Sequence, residues 1–375
     1  MTVVSLVKGE AVAEAVREAV DMIGGIKKVV KRGDKVFIKP NLVVPLPKES
    51  GTVTDPEVVR AVIKLVKEAN ASQIMIGDAP VFIYKSRKAF EVTGTKKVVE
   101  EEGAEAVYLD EEEYVEVKCP KAKLMSTVKL PKKLLDCDKF ITVPKLKTHA
   151  MCRVSLAIKN QIGLLSPEEK QIYHRVDIHQ KVVDVTLAAK PDLAIVDGLV
   201  ALEGQGPTYG NAAKMGVIIA GEDLVSVDAV ASSIMGFDPQ EIPHLRLASL
   251  QGLGEMNLNR IEVRGASISE VRRYFKRPSA DVMGVYPNVE VYVGCACYEG
   301  CLAWTRVELD RLGKHGLIEK VGKINLIIGR DVKLPEEMEG RTYVIGDCAE
   351  EYKDRGVFIA GCPAFGILGS IQPPR

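Results

Sequence analysis

Short apolar runs that lead into chemically capable side chains, often through glycine or proline, recur along this 375-residue chain. The side chains that follow such runs are Lys39, Asn41, Asp78, Lys145, Asp197, Cys295, Cys348 and Cys362. Lysine and aspartate could bind an ion or move a proton, and cysteine thiolates could hold a metal. Apolar runs between helical stretches are typical of buried parallel strands, and ligands bind beyond the carboxyl ends of such strands. We therefore expect these side chains to gather at one edge of a sheet.

The segment 144–160 carries three lysines, an arginine and a histidine, which together make a strong local positive field. Such a field favours a small anion, either a carboxylate or a phosphate. The predicted binding residues in and around this segment are Lys39, Asn41, Asp78, Lys145, Lys147, Ser155 and Asn160. The alternative is that these lysines are ordinary surface residues that bind no ligand.

His149 is the predicted proton carrier of this segment, because the imidazole changes its charge near neutral pH. A desolvated Lys159 could act as a base or nucleophile, because burial lowers the pKa of a lysine. If residues 154–162 are helical, Ser155 and Lys159 share one face. Asp197, together with His149 and Lys159, completes the predicted catalytic set.

A glycine-rich segment follows Asp197 and contains Glu203, Gly204 and Gly206. Glycines let backbone N–H groups approach a ligand such as a phosphate, and the two acidic residues could hold a cation or orient the lysines. A tight turn that needs small residues explains the pattern equally well. The segment is not a dinucleotide fingerprint, and a Walker motif is absent from the sequence.

Five of the eight cysteines lie in the last 81 residues. They are Cys295, Cys297, Cys301, Cys348 and Cys362. Three belong to one loop and two follow other predicted strands, so the strand ends could bring them together. Thiolates suit an iron–sulfur cluster or zinc, and disulfides or inert thiols remain alternatives. Four ligands suffice for a 4Fe–4S cluster, and Cys295 or Cys297 is the expected non-ligand.

The alternation of strands and helices predicts an α/β protein with mostly parallel sheets in two Rossmann-like units. A boundary near Gly265 gives an anion-binding domain over 1–265. A smaller, cysteine-bearing α/β domain follows over 266–375.

The composition bounds the function further. Basic and acidic residues number 51 each, which argues against general nucleic-acid binding. No run approaches about 20 apolar residues, so neither a membrane span nor a membrane partner is expected. We expect a cytoplasmic protein. The residue usage leans towards a thermophile, where intracellular disulfides do occur.

The chain resembles the uncharacterised family called domain of unknown function 362, or DUF362. The matching motifs are IKPN (38–41), VPKLKTH (143–149), SLAIKN (155–160), IVDG (195–198) and EGQGP (203–207). Members are often associated with iron–sulfur clusters, some through a separate ferredoxin-like module. The resemblance therefore implies a cluster, but this chain lacks that module's tandem cysteine runs, so its carboxy-terminal cysteines would have to substitute.

A more distant likeness is to the nickel-pincer lactate racemases. Their motif places a serine six residues and a cofactor-bearing lysine ten residues after a histidine. His149, Ser155 and Lys159 keep that spacing. The resemblance implies an isomerase built on His149 and Lys159.

These observations support an iron–sulfur oxidoreductase or electron-transfer protein that acts on a small anionic substrate. A ferredoxin-like protein is the expected electron partner, and a homo-oligomer remains open. One alternative is a non-redox isomerase, racemase or lyase that uses His149 and Lys159. Another is a cluster-bearing binding protein without catalysis.

Overall fold

A computed structural model describes residues 1–364 of the chain. The mixed α/β class is confirmed: a large, mostly parallel sheet and a separate, wholly parallel sheet carry the fold. Residues 365–375, which end the predicted second domain, lie outside the described residues.

The apolar runs before Lys39, Asp78, Lys145, Asp197, Cys295, Cys348 and Cys362 are all strands, and further strands lie between them. They are β1 (Thr2–Lys8), β2 (Lys35–Pro40), β3 (Gln73–Asp78), β4 (Glu105–Tyr108), β5 (Tyr114–Lys118), β6 (Thr127–Pro131), β7 (Lys139–Val143), β8 (Lys145–His149), β9 (Arg153–Ser155), β10 (Leu193–Glu203), β11 (Asn211–Gly221), β12 (Ile261–Gly265), β13 (Val289–Val293), β14 (Ile324–Ile328), β15 (Arg341–Ile345) and β16 (Val357–Ile359).

The helices lie mainly between these strands. They are α1 (Val12–Met22), α2 (Ile26–Val29), α3 (Pro56–Glu68), α4 (Ser86–Thr93), α5 (Thr95–Glu101), α6 (Lys132–Leu135), α7 (Ala157–Asn160), α8 (Pro167–Ile172), α9 (Ile178–Ala188), α10 (Leu224–Ile234), α11 (Pro243–Leu250), α12 (Ile268–Val271) and α13 (Ala303–Lys314). Helix α3 begins as its sequence predicts, because the Asp55 side chain accepts a hydrogen bond from the Glu57 N–H and Pro56 opens the first turn.

The large sheet has the order β12-β1-β11-β10-β7-β2-β3-β4, and β8 pairs with β10 and β9. Strands β10, β7, β2, β3 and β4 run parallel, so their carboxyl ends meet at one edge. Strand β11 is antiparallel to both of its neighbours. This arrangement places the ends of β2, β3, β7 and β10 side by side.

One face of the large sheet is covered by α1, α3, α4 and α5, which bury a continuous apolar core against β2, β7, β10 and β11. Ile38 belongs to that core. Because successive side chains of a strand point to opposite faces, Lys39 points away from it. The charged side chain near the end of β2 is thereby kept out of the apolar core.

The chain divides into two compact units. The first contains residues 1–148, 154–173 and 177–276. The described part of the second contains 149–153, 174–176 and 277–364, and its sheet has the order β13-β14-β15-β16. Helix α13 packs on this smaller sheet through Leu309 and Leu312.

Two local predictions are wrong. Residues 154–162 do not form one helix: Ser155 ends β9, Leu156 is non-helical (φ −135°, ψ −149°), and Lys159 lies in α7. Ser155 and Lys159 therefore do not share a helical face. The predicted strand before the glycine-rich segment is also longer than expected. It runs to Glu203 and pairs antiparallel with β11, so the glycines form the connection of a long hairpin.

Within residues 1–364, no helix is both long enough and apolar enough to cross a lipid bilayer.

Candidate functional site

The ends of β2 and β3 join through a buried ion pair. The ammonium of Lys39 lies 2.7 Å from the Asp78 carboxylate, and both side chains are almost wholly buried. The other Asp78 oxygen accepts a hydrogen bond of 2.6 Å from the Leu42 N–H. Burial lowers the pKa of Lys39, and Asp78 opposes that shift. Asp78 thus holds the Lys39 ammonium in place at the carboxyl edge of the sheet.

A second buried pair joins β8 to β10. The Lys145 ammonium lies 2.7 Å from Asp197. The same Asp197 oxygen accepts the Asp55 N–H at 2.7 Å, while the other accepts the Leu199 N–H at 3.0 Å. Pro144 ends β7 and has no N–H of its own to pair, and its carbonyl accepts the Asp197 N–H. Pro144 thus interrupts the chain between β7 and β8, and Lys145 directly after it lies beside Asp197 of β10.

Lys147 lies on the same face of β8 as Lys145, two residues along. Its ammonium donates to the Asn41 side-chain oxygen at 2.7 Å and to the Thr52 carbonyl at 2.8 Å. Burial lowers the pKa of Lys147 well below its ordinary value, and Lys159 lowers it further. Lys147 is therefore a buried amine held by neutral oxygens.

Asn160 connects these groups. Its amide nitrogen donates to the Thr142 hydroxyl, and its oxygen accepts from the Asn41 amide, each at 2.9 Å. The Lys39 ammonium lies 3.4 Å from the same oxygen. Both predicted amides, Asn41 and Asn160, thus hold lysines in place and bridge the ends of β2 and β7.

The backbone of Gly163 closes over the first ion pair. A methyl group at this position would lie 2.4 Å from the Asp78 carboxylate and 2.5 Å from the Lys39 ammonium. No side chain larger than hydrogen fits without moving the pair.

Asp228 of α10 begins the short helix that carries Lys159. Its two carboxylate oxygens accept the Ala157 and Ile158 N–H groups at 2.8 and 2.9 Å. Burial raises the pKa of Asp228 to about 7, against the lowering effect of these two N–H groups. The Lys159 ammonium lies 5.1 Å from the centre of the Tyr173 ring, within range of a cation–π interaction. Ser155 is buried in β9.

Lys170 of α8 is a further buried lysine that sequence reasoning missed. Its ammonium donates to the Ala79 carbonyl at 3.0 Å and lies 3.5 Å from the Pro80 carbonyl, just beyond β3. Burial lowers the pKa of Lys170 to about 7, although Asp78 opposes the shift. We call the following set the lysine centre: Lys39, Lys145, Lys147, Lys159 and Lys170 with Asp78 and Asp197.

The glycine-rich segment connects the two strands of the β10–β11 hairpin. Glu203 pairs with Arg273 at 3.0 Å and accepts the Lys276 N–H, so it does not orient the lysines. The Gly204 carbonyl accepts the Thr148 hydroxyl. A methyl group on Gly206 would lie 1.9 Å from the Thr148 carbonyl. Close packing against β8 accounts for Gly206, and a φ of +82° accounts for Gly204.

His149, the predicted proton carrier, belongs to segment 149–153 of the second unit. It is buried, and its Nδ1 accepts the Met151 and Cys152 N–H groups at 3.2 and 3.3 Å. In this unit Arg153 pairs with Glu299 at 3.4 Å. The predicted positive field of the segment is thus divided between the two units.

The cysteines of the second unit converge from the ends of β13, β15 and β16. Burial raises the pKa of Cys301 to about 11, and the thiolates of Cys362, Cys348 and Cys297 add to the shift, which requires all four to be close. The Cys301 sulfur also lies 2.8 Å from the position of a methyl group on Gly346. Cys295 instead forms a backbone bridge with Arg330. No disulfide joins the cysteines of residues 1–364.

A histidine pair in the first unit was also missed. His179 of α9 and His244 of α11 are buried and stacked, with ring centres 5.8 Å apart. A ring nitrogen of each lies within 4.8 Å of the other. Burial lowers the pKa of His244 well below its ordinary value, and His179 adds to the effect. Neutral imidazoles are common metal ligands, so this pair could help to hold a metal ion.

The chain is similar to known proteins, and the part that matches a known family contains the lysine centre. The family described as domain of unknown function (DUF362) matches residues 36–233. The thylakoid-associated protein sll1697 of Synechocystis sp. is 31% identical over 245 residues, which are 64% of this chain and 74% of that protein. The lactate racemase apoprotein of Thermoanaerobacterium thermosaccharolyticum gives a TM-score of 0.39 at 14% identity, over 67% of this chain and 57% of the racemase. That structural similarity is too low to inform the function.

Proposed function

Because the chain belongs to the DUF362 family, whose description names no reaction, we propose a function from its own residues. The protein is an iron–sulfur redox or electron-transfer protein that acts on a small anion, either a carboxylate or a phosphate compound. The lysine centre binds the anion, and the cysteines of the second unit hold the cluster.

The excess of buried amines over buried carboxylates at the lysine centre carries this proposal. Five buried lysines surround two buried aspartates, Asp78 and Asp197. A buried charge is costly unless it is paired. Each aspartate already pairs with one lysine, so Lys147 and Lys170, which contact neutral oxygens, favour a ligand that brings negative charge.

The cysteine donors fit a 4Fe–4S cluster. Such clusters bind four thiolates, and the four cysteines that lie close together are Cys297, Cys301, Cys348 and Cys362. A bound cluster would supply one-electron transfer, or a Lewis acid if one iron kept an open position. Zinc is the alternative for the same donors.

The anion site is tested by replacing Lys147 with methionine. Lys147→Met removes an amine but keeps most of its apolar stem, so we expect the dissociation constant for sulfate or phosphate to rise about tenfold or more. Isothermal titration calorimetry measures the change. Lys147→Arg keeps a positive charge and should bind more tightly than Lys147→Met.

Lys214→Met is the matched control, because Lys214 is exposed and pairs with Glu10 on the surface. It should bind sulfate as the unaltered protein does. Unchanged binding by a folded Lys147→Met variant, judged by circular dichroism, would overturn the anion site.

A non-redox isomerase or lyase is the second candidate, and the pKa of Lys170 favours it. An amine whose pKa is about 7 can exchange a proton at neutral pH, as a general base must. This version replaces His149 with Lys170 as the proton carrier. Turnover by protein free of iron would favour it over the redox function.

A further inference from the structure

Four of the five buried lysines fall into two classes by their partners. Lys39 and Lys145 each lie 2.7 Å from a carboxylate. Lys147 and Lys170 instead contact neutral oxygens: the Asn41 amide and the Thr52, Ala79 and Pro80 carbonyls. Among the described residues, neither amine has a carboxylate within ion-pair distance. Neutral oxygens can accept a hydrogen bond from an amine in either protonation state, but they do not cancel its charge.

Both amines interact with the same ion pair. The field at Lys147 comes from Lys159, Asp78, Lys145 and Lys39, of which only Asp78 favours its charged form. The field at Lys170 comes from Asp78, Lys39 and Asp110, where the two aspartates favour its charged form. The Lys39–Asp78 pair thus lies within electrostatic range of both amines. A ligand beside that pair would act on both.

We propose that the lysine centre selects an oxyanion with two negative charges, such as a phosphoryl group or a dicarboxylate, and that Lys147 and Lys170 are the amines whose charge it matches. This inference rests on the proposed anion-binding function and names its ligand class. Each amine takes a proton from solvent when the ligand binds. The dianion then pairs with these two ammonium groups.

Proton uptake follows from the state of the amines without ligand. Burial lowers the pKa of both lysines, well below its ordinary value for Lys147 and to about 7 for Lys170, so Lys170 is largely neutral at pH 8. A nearby dianion favours the charged form and raises both pKa values. By linkage, binding must therefore take up protons and must weaken as the pH rises.

Sulfate is the probe, because it remains a dianion throughout the neutral range and exchanges no proton itself. Calorimetric titration of the full chain at pH 8 in two buffers with different ionisation enthalpies gives the number of protons exchanged. We expect an uptake of roughly one to two protons per sulfate, and weaker binding of the monoanion acetate.

Lys170→Arg keeps a positive charge at this position but cannot take up a proton, because arginine stays protonated. It should still bind sulfate but take up about one proton fewer, whereas Lys170→Met should lose both that proton and affinity. Lys214→Met should exchange as many protons as the unaltered protein. The unaltered protein alone tests the inference if a variant fails to fold.

Two failures are distinguishable. If sulfate binds without proton uptake, or acetate binds as tightly as sulfate, this inference is wrong and the anion site stands. If sulfate, phosphate and acetate all fail to bind, the proposed anion-binding function is wrong and this inference falls with it.

Discussion

Asp228 shows how a single buried carboxylate can position a site that it does not contact. It lies in the middle of α10, and its two oxygens hold the first N–H groups of α7, the helix that carries Lys159 and Asn160. An acceptor at the start of a helix satisfies N–H groups that have no partner within it. Asp228 is therefore a positioning residue for the lysine centre.

Asp228→Asn should change the pH dependence of stability. The raised pKa of about 7 means that the folded protein keeps a proton that an unfolded aspartic acid releases near pH 4. Stability from this proton is complete below about pH 4 and is lost as the pH rises to about 7. Between these values the unaltered protein should lose about 1–4 kcal/mol relative to Asp228→Asn. Urea unfolding at several pH values measures this difference.

Asp177→Asn is the comparison, because Asp177 caps α9 in the same way but is exposed. Its difference from the unaltered protein should vary little over the same pH range. A flat difference for Asp228→Asn as well would contradict the raised pKa.

Residues at strand ends could be predicted from the sequence, and residues placed by tertiary packing could not. Lys39, Asp78, Lys145 and Asp197 each follow an apolar run, and the parallel sheet brings them together in ion pairs. Lys170 lies in the polar segment Pro167–Ile172, where nothing local signals burial. Burial there depends on distant chain that covers the residue, which periodicity cannot reveal.

At the scale of elements, the turn after α7 brings its backbone against the Lys39–Asp78 pair. Gly163→Ala would place a methyl group within 2.5 Å of both charged groups, which other bonds hold in place. We expect a loss of about 1–3 kcal/mol in the free energy of unfolding, together with weaker sulfate binding. Chemical denaturation and calorimetry measure the two effects.

Gly9→Ala is the matched control, because a methyl group there would make an ordinary contact of 3.5 Å with Ala15. It should change stability by about 0.5 kcal/mol or less. If Gly163→Ala resembled it in both measurements, the close approach of the turn to the ion pair would be wrong.

Elements with strong end signals were predictable, whereas segment 154–160 was not. Asp55 and Pro56 mark the start of α3, and the structure begins the helix there. Residues 154–160 are apolar at several positions, which suits a buried helix or a buried strand equally well. The backbone turns at Leu156, where the Asp228 carboxylate starts a new helix. That interaction spans 71 residues of sequence, so a local pattern could not show it.

At the scale of the whole molecule, both units use the carboxyl ends of parallel strands to assemble a polar site. The first gathers lysines and the second gathers thiols, and each draws them from strands that are far apart in sequence. Parallel sheets allow this because loops from successive strands meet at one edge. The same topology thus accounts for two chemically different centres.

Iron content tests the second centre. Protein purified without oxygen should be brown and carry about four irons per chain. Cys348→Ser should lose most of this iron, since Cys348 is one of the four cysteines that lie close together. Cys295→Ser should keep it, because Cys295 is not one of these four and its backbone bridges Arg330. Elemental analysis and visible absorbance give both results.

Stoichiometric zinc that depends on the same four cysteines would replace the cluster with a zinc site. Loss of iron from Cys295→Ser alone would show that the ligand set is wrong. Colourless, metal-free protein with all thiols titratable would remove the redox proposal.

Asp197 joins the Lys145 ammonium to the first backbone amide of the α3 segment through one oxygen. Substituting Asp197 would leave the buried Lys145 ammonium without its counter-charge. It would also remove the acceptor that holds the Asp55 N–H at the start of α3. An inactive Asp197 variant would therefore report on architecture as much as on reactivity. Replacing Lys145 and Asp197 together with uncharged residues would keep the interior neutral. The double variant is therefore the better test of whether the pair has a role in reactivity.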